Sequence, residues 1–437
     1  MHWKQRKKLL RKILFDILLV MGYNSSEYYF IRKESGFMSM GNFAVAQSGG
    51  PTAAINATLL GVIEGAMESG STIFGAVNGI RGVIDDNFLN LNDTFEDETN
   101  RKLLKNTPGA YLGSCRVKLP DPEKDTEIFE RIFEVFEKNN IDKFVYIGGN
   151  DSMDTVDKLS RYAQIHNKNI AVVGAPKTID NDLAGTDHTP GFGSAARFVA
   201  SSVKEVARDS GVYAENSITI IEVMGRNAGW LTAAAALARS ENSDAPHLIY
   251  LPERPVSREK IIEDVKNCPA KNIIMAVSEG IKDETGQYYS AQSASSHDIF
   301  GHAQLAGCAK VLEDFLGKEF GYKMRSVELS VLQRCGGHFT SLTDLNESEE
   351  IGRRAALSAA EGKRGIVMGF KRVKEYECEI VENVVSQIAN KEKTVPDEFI
   401  SKNANDVTDK FIQYCRPLIM GTPEVITENG LPKHIVR

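Results

Sequence analysis

Short apolar runs alternate along the chain with longer segments of helical period. NFAVAQ (42–47), KFVYI (143–147), IAVVG (170–174), SITIIEV (217–223), HLIYL (247–251) and IIMAV (273–277) are rich in β-branched residues and read as buried strands. Between them, apolar positions recur every three to four residues, which predicts helices from Pro51 to about Ser69, about Asp125–Asn139, up to about His166, about Gly193–Arg208 and Ala228–Arg239. A further short strand is expected near Thr72–Asn78. Strand–helix alternation of this kind builds βαβ units and mostly parallel sheets. The fold class expected is α/β, with Rossmann-like parallel sheets in three αβα layers.

Five of these strands run into a turn dense in glycine or charge. The turns are Ser48-Gly49-Gly50, Gly148-Gly149-Asn150-Asp151-Ser152, Lys177-Thr178-Ile179-Asp180-Asn181-Asp182, Met224-Gly225-Arg226 and Ser278-Glu279-Gly280. Ligands of open parallel sheets bind beyond the carboxyl ends of the strands, so turns distant in sequence can share one cleft. Glycines allow close backbone approach, and helix N-termini offer N–H groups to anions. The stretch 177–182 places a cation, a hydroxyl and two carboxylates within six residues. A hydroxyl attacking phosphorus needs a carboxylate to take its proton, and an oxygen-seeking cation needs carboxylates beside phosphate. Lysine supplies a point charge for phosphate, and Arg116, Arg226, Arg325 and Arg334 supply planar donors. Phosphoryl transfer accounts for this set.

Size and charge narrow the picture. At 437 residues the chain exceeds the roughly 250–300 that one core supports, so two domains are expected. The net charge of −7 argues against a nucleic-acid coat. Residues 1–37 hold eight Lys/Arg and three Asp/Glu, a net of +5, leaving −12 for the remainder. This basic head is read as lying outside the functional fold, with Met38 and Met40 as later starts. Its apolar run Ile13–Met21 is too short for a membrane span. The six cysteines are at least 27 residues apart, which excludes a CxxC site, and His297 and His302 are poorly spaced for a metal. Reduced thiols and a cytoplasmic location are expected.

The ordered set SGGPTAAIN, YLGSCR, GGNDS, PKTIDND, GTDHTPGF, EVMGRNAGW, SEG, YKMR and QRCGG resembles the phosphofructokinase family, in particular its pyrophosphate-dependent branch. The resemblance runs from about Gly41 to about Phe370, and it implies two domains facing a common cleft. Residues 38–190, completed by about 335–375, would bind the donor; 191–334 would bind fructose 6-phosphate; 376–437 would be a helical extension. The implied reaction is reversible transfer of phosphate from pyrophosphate to the sugar 1-hydroxyl, with Mg²⁺ as cofactor and a homodimer or homotetramer as the assembly. An ATP-dependent kinase and a non-catalytic sugar-phosphate-binding subunit are the alternatives.

The resemblance further implies Asp180 as base, with Asp151, Lys177 and Arg226 in the catalytic set. Thr178, Ile179, Met224, Gly225, Arg226, Glu279, Tyr322 and Arg325 would hold the sugar phosphate. Gly50, Arg116, Asn150, Asp151 and Lys177 would hold the donor, and Asn150 and Asp182 the metal. Asp151 and Lys177 stand where ATP-using relatives carry glycines, so Asp151 would exclude the nucleotide α-phosphate. Two departures are visible. Asn150 replaces an aspartate common in relatives, giving a neutral ligand, and Ser217 stands where allosteric relatives often carry arginine.

Overall fold

Consecutive side chains of the first strand enter opposite cores. Phe43 and Val45 pack on one side, Ala44 and Ala46 on the other. A strand covered on both faces must be apolar at both parities. The computed structural model describes residues 41–292 and 307–437. The basic head and the pair His297 and His302 lie outside them.

In chain order the strands of the two main sheets are β1 (Asn42–Gln47), β2 (Ile73–Ala76), β3 (Phe88–Asn90), β4 (Ile141–Gly148), β5 (Ala171–Pro176), β6 (Ser217–Val223), β7 (Leu248–Tyr250), β8 (Asn272–Ser278), β9 (Lys323–Glu328), β10 (Ile366–Lys374) and β11 (Glu377–Val384). The larger sheet has the order β11-β10-β5-β4-β1-β2-β3. Its interior pairs are parallel, and the edge strands β3 and β11 are antiparallel. The smaller sheet, β7-β8-β6-β9, is parallel throughout.

The helices that matter here are α1 (Ile55–Glu68), α2 (Glu127–Lys138), α3 (Asn150–Ile165), α4 (Phe192–Ser210), α5 (Cys308–Phe320), α6 (Leu342–Ala360) and α7 (Asp409–Cys415). α1 and α6 cover one face of the large sheet, α2 and α3 the other. α4 and α5 cover the two faces of the small sheet. Both sheets are therefore three-layered, as the sequence predicts. α1 and α6 approach so closely that a Cβ on Gly61 would lie 1.8 Å from the Glu349 carbonyl oxygen, and one on Gly352 2.1 Å from that of Thr58.

Three expectations are corrected. The helix predicted from Pro51 starts at Ile55. The Gly50 carbonyl accepts from Lys177 Nζ and the Thr52 carbonyl from the Gly109 N–H, so neither is available to a first helical turn. The helix predicted over Ala228–Arg239 is a five-residue α-helix, Trp230–Ala234, followed by a 3₁₀ turn to Ala238. Residues 376–437 are not a helical extension. They contain β11, paired along β10, and the seven-residue α7. In β11, Cys378 and Ile380 pack toward the core at period 2, a strand signal among the surrounding glutamates. Beyond it Val395, Ile400, Val407, Phe411 and Leu418 join the core of the small sheet.

Candidate active site

Three adjacent strands of the large sheet, β1, β4 and β5, end side by side. Their turns therefore meet. Gly49 adopts φ +77°, and a Cβ there would stand 3.2 Å from Lys177 Nζ; on Gly50 it would stand 3.3 Å from an Arg334 guanidinium nitrogen. The two glycines thus keep room for two cations beside the chain. Ser114 Oγ donates to the Gly49 carbonyl at 2.7 Å, which brings the loop carrying the exposed Arg116 against this turn.

Lys177 is buried, and its Nζ donates to the Gly50 carbonyl at 2.7 Å. Burial brings its pKa down to about 8, against the pull of Asp180 and Asp182, with Arg334 adding to the decrease. Thr178 Oγ1 donates to Asp180 Oδ2 at 3.2 Å and accepts the Asp180 N–H at 3.1 Å. Burial pushes the Asp180 carboxyl above the usual range, opposed by Thr178, Lys177, Arg226 and Arg334. Asn181 turns the chain in the left-handed region, φ +54°, which asparagine tolerates. Its side chain accepts the Thr189 N–H at 3.1 Å and donates to the Tyr414 hydroxyl at 2.9 Å. Asp182 is raised to about 7, first by burial and then by Asp180 and Glu392.

The small sheet contributes the facing turns. The Met224 N–H donates to Gln333 Oε1 at 3.2 Å and the Gly225 N–H to Glu279 Oε1 at 3.3 Å. Gly225 has φ +143° and receives the Ser278 hydroxyl on its carbonyl. Arg226 is half-buried, and its Nε has no hydrogen-bond partner. Burial raises Glu279 to about 7, with Asp180 adding to it and the Gly225 N–H and Arg226 opposing. Asp180 and Glu279 lie on different sheets yet act on each other, as do Asp180 and Arg226. The two sets of strand ends line one cleft.

Asn150 and Asp151 form the first turn of α3. Asp151 is exposed. Asn150 Nδ2 donates to the Lys391 carbonyl at 3.1 Å, while its Oδ1 is buried with no partner. Gly50, Asn150, Lys177, Thr178, Asp180, Asp182, Met224, Gly225, Arg226 and Glu279 thus all lie on turns at the carboxyl ends of the strands.

Three predicted residues do not join them. Ile179 is buried in the core of the small sheet. Tyr322 precedes β9, which runs parallel to β6, so it lies at the opposite end of the sheet from Arg226 and packs on Phe320. Arg325 is opposite Thr219 in mid-strand and pairs at 2.8 Å with Asp209, at the C-terminal end of α4. The arginine that stands in the cleft is instead Arg334, beside Gly50, where it acts on both Lys177 and Asp180. QRCGG was part of the motif set, but only the fold distinguishes one arginine from the other. The C-terminal residues Lys391–Lys393 were also missed, because they carry no recognisable motif.

Among the described residues, Asp187, His188 and Cys378 bring potential metal ligands within 4.8 Å of one another. Both His188 ring nitrogens are already committed, to Asp187 and Glu347, each at 2.9 Å, and Arg372 caps Asp187. Burial alone would lower the His188 pKa, but its two carboxylate partners raise it; His188 and Arg372 hold Asp187 down to about 2 despite burial. This part of GTDHTPGF is an ion-pair network on the loop that follows the 177–182 turn.

Residues 42–335 match the family model described as phosphofructokinase. A pyrophosphate–fructose 6-phosphate 1-phosphotransferase of Xanthomonas campestris is 39% identical over 405 residues, covering 91% of this chain and 96% of that protein. Its counterpart in Rhodospirillum rubrum is 39% identical over 413 residues, covering 92% and 100%. The crystal structure of a pyrophosphate-dependent phosphofructokinase from Nitrosospira multiformis superimposes with a TM-score of 0.82 at 32% identity, covering 91% of this chain and 96% of that one.

Proposed function

The chain belongs to the phosphofructokinase family, and we propose that it transfers phosphate reversibly from pyrophosphate to the 1-hydroxyl of fructose 6-phosphate. The observation that carries the reading is the Lys177 ammonium, buried between the Gly50 carbonyl and Asp180 at the junction of the two sets of turns. In the forward direction Asp180 takes the proton of the sugar 1-hydroxyl. The sugar oxygen forms a bond to phosphorus, the bridging P–O bond of pyrophosphate breaks, and phosphate leaves. Lys177 and Arg334 balance charge on the transferring group, where the protein's work is placement and neutralisation. Thr178, Met224, Gly225, Arg226 and Glu279 form the sugar side; Gly50, Arg116, Asn150 and Asp151 form the donor side.

Magnesium fits the donor set. Asn150 Oδ1 is a buried oxygen with no partner, and Asp182 offers a carboxylate held through the same strand of chain, Lys391–Lys393. These two would hold the ion, which supplies charge neutralisation on the phosphates when bound. Asp151, at the N-terminus of α3, places negative charge where the helix would otherwise attract another phosphate, which favours the smaller donor over ATP. The reading includes donor binding by the large sheet and sugar binding by the small one. It also includes a homo-oligomer, for which the exposed Val331 and Leu332 are suitable contacts, and a cytoplasmic location, in keeping with six free cysteines.

A coupled assay with fructose 6-phosphate and Mg²⁺, comparing pyrophosphate with ATP, tests it. Turnover with pyrophosphate is expected, and turnover with ATP alone would overturn the donor assignment.

A further inference from the structure

One short segment near the C-terminus touches three of the five turns of the cleft. The Lys391 carbonyl accepts from Asn150 Nδ2 at 3.1 Å on the donor side. Glu392 bridges to Leu183 in antiparallel fashion, and the Lys393 N–H donates to the Asp182 carbonyl at 2.6 Å. The Glu392 carboxylate accepts Asn227 Nδ2 at 3.0 and 3.1 Å, one residue beyond Arg226 on the sugar side. Past these contacts the Val395 N–H donates to Glu253 Oε1, which also accepts the Gly229 N–H, both at 2.9 Å. The segment is therefore fastened to both halves of the site.

Lys393 is its centre. Its ammonium donates to the carbonyls of Asp187 at 2.9 Å and Thr186 at 3.0 Å, with Asn181 Oδ1 at 3.4 Å, and lies 5.0 Å from the Trp230 ring. Trp230 Nε1 in turn donates to the Lys393 carbonyl at 2.9 Å. Three acceptors match the three donors of an ammonium. All of them belong to the loop that begins as the Asp180–Asp182 turn, so the lysine fixes that loop from behind while its backbone fixes Asp182 directly. A lysine needed only to anchor the C-terminus would not have to spend its donors on this loop.

We propose that Lys393 is a positioning residue for phosphoryl transfer, and that Lys391–Lys393 form a strap holding the donor turn, the carboxylate turn and the sugar turn in register. The inference rests on the functional reading above. It assigns Lys393 no contact with substrate. Its effect passes through Asp182 and Asn181, so it belongs to the chemical step and to metal binding rather than to sugar affinity.

Lys393→Met keeps the stem over Trp230 and removes the donors. The expected result is a kcat lower by about 10–100-fold, the usual effect of losing a group that orients a ligand. KM for fructose 6-phosphate should stay within about threefold. Mn²⁺ binding in the presence of pyrophosphate, followed by electron paramagnetic resonance, should weaken by about tenfold or more. Lys393→Arg should restore part of both. Equal loss of kcat and sugar affinity, or unchanged Mn²⁺ binding, would overturn the inference. Should Lys393→Met fail to fold, the exposed pair Glu392→Ala and Asn227→Ala carries the test. Each single variant should lower kcat several-fold and the double variant no further, as for one shared contact. Additive effects, or none, would reject the strap. The unaltered chain is assayed alongside: if it does not phosphorylate fructose 6-phosphate with pyrophosphate, the functional reading fails and the strap with it. An active parent with an unaffected Lys393→Met enzyme rejects the strap alone.

Discussion

Lys177 Nζ and the Gly50 carbonyl are 2.7 Å apart although 127 residues separate them in sequence. The bond crosses the end of β4 to join β5 to β1. It orients the ammonium toward the donor turn without neutralising it, since a carbonyl removes no charge. That leaves the cation to balance phosphate, at the expense of an ammonium that burial has already weakened to about 8.

The first prediction concerns pH. Above about pH 8 the free enzyme loses the Lys177 proton, so kcat/KM should fall on the alkaline side. Lys177→Arg cannot titrate in this range and should lose that limb, at a lower rate because the wider guanidinium does not fit beside Gly50. A pH profile of kcat/KM for pyrophosphate, with fructose 6-phosphate saturating, checks both points.

Asp180→Asn removes the proton acceptor and leaves the shape. Turnover should drop by on the order of 10²–10⁴-fold while fructose 6-phosphate binding, measured by calorimetry, is nearly retained. An unchanged rate would reject Asp180 as the base.

Donor choice is tested by Asp151→Gly combined with Lys177→Gly. Pyrophosphate-dependent turnover should fall, and ATP should gain as a donor once the charge at the start of α3 is gone. Parallel assays with the two donors decide it, and full retention of pyrophosphate activity would reject both donor roles.

Arg334 and Arg325 make opposite predictions. Arg334→Ala removes a guanidinium that acts on Lys177 and Asp180, and kcat/KM should fall on the order of 10²-fold. Arg325→Ala removes an exposed pair with Asp209 and, in the isolated protomer, should leave stability nearly unchanged. Steady-state kinetics and denaturant titration of the two variants separate the roles.

The helix pair behind the large sheet offers a stability test. Gly61→Ala would put a methyl 1.8 Å from the Glu349 carbonyl oxygen, backbone that cannot swing aside. The loss should be at the upper end of, or beyond, the about 1–3 kcal/mol typical of overpacking, measured by denaturant unfolding.

The strands and the chemistry at their ends were legible because each signal is local. β6 is bounded as the apolar run SITIIEV predicts, and its following turn carries Arg226. Signals failed where a backbone group answers to a distant partner. Pro51 reads as a helix start, but the carbonyl before it is taken by Lys177. Arg325 and Arg334 are alike in sequence, and only the direction of β9 decides that the second reaches the cleft and the first does not. The glutamate-rich run after Val373 reads as helix until β10 supplies an edge for it to pair with.

The sequence by itself determined the two α/β sheets, the five turns and the reaction class, since hydrophobic period and the order of side chains in a turn do not depend on what lies elsewhere. Tertiary structure alone decided which cation stands beside which carboxylate, and that Lys391–Lys393 lie across three of the five turns. Those facts are distances between residues remote in the chain, set by sheet order and helix packing, and no local pattern carries them.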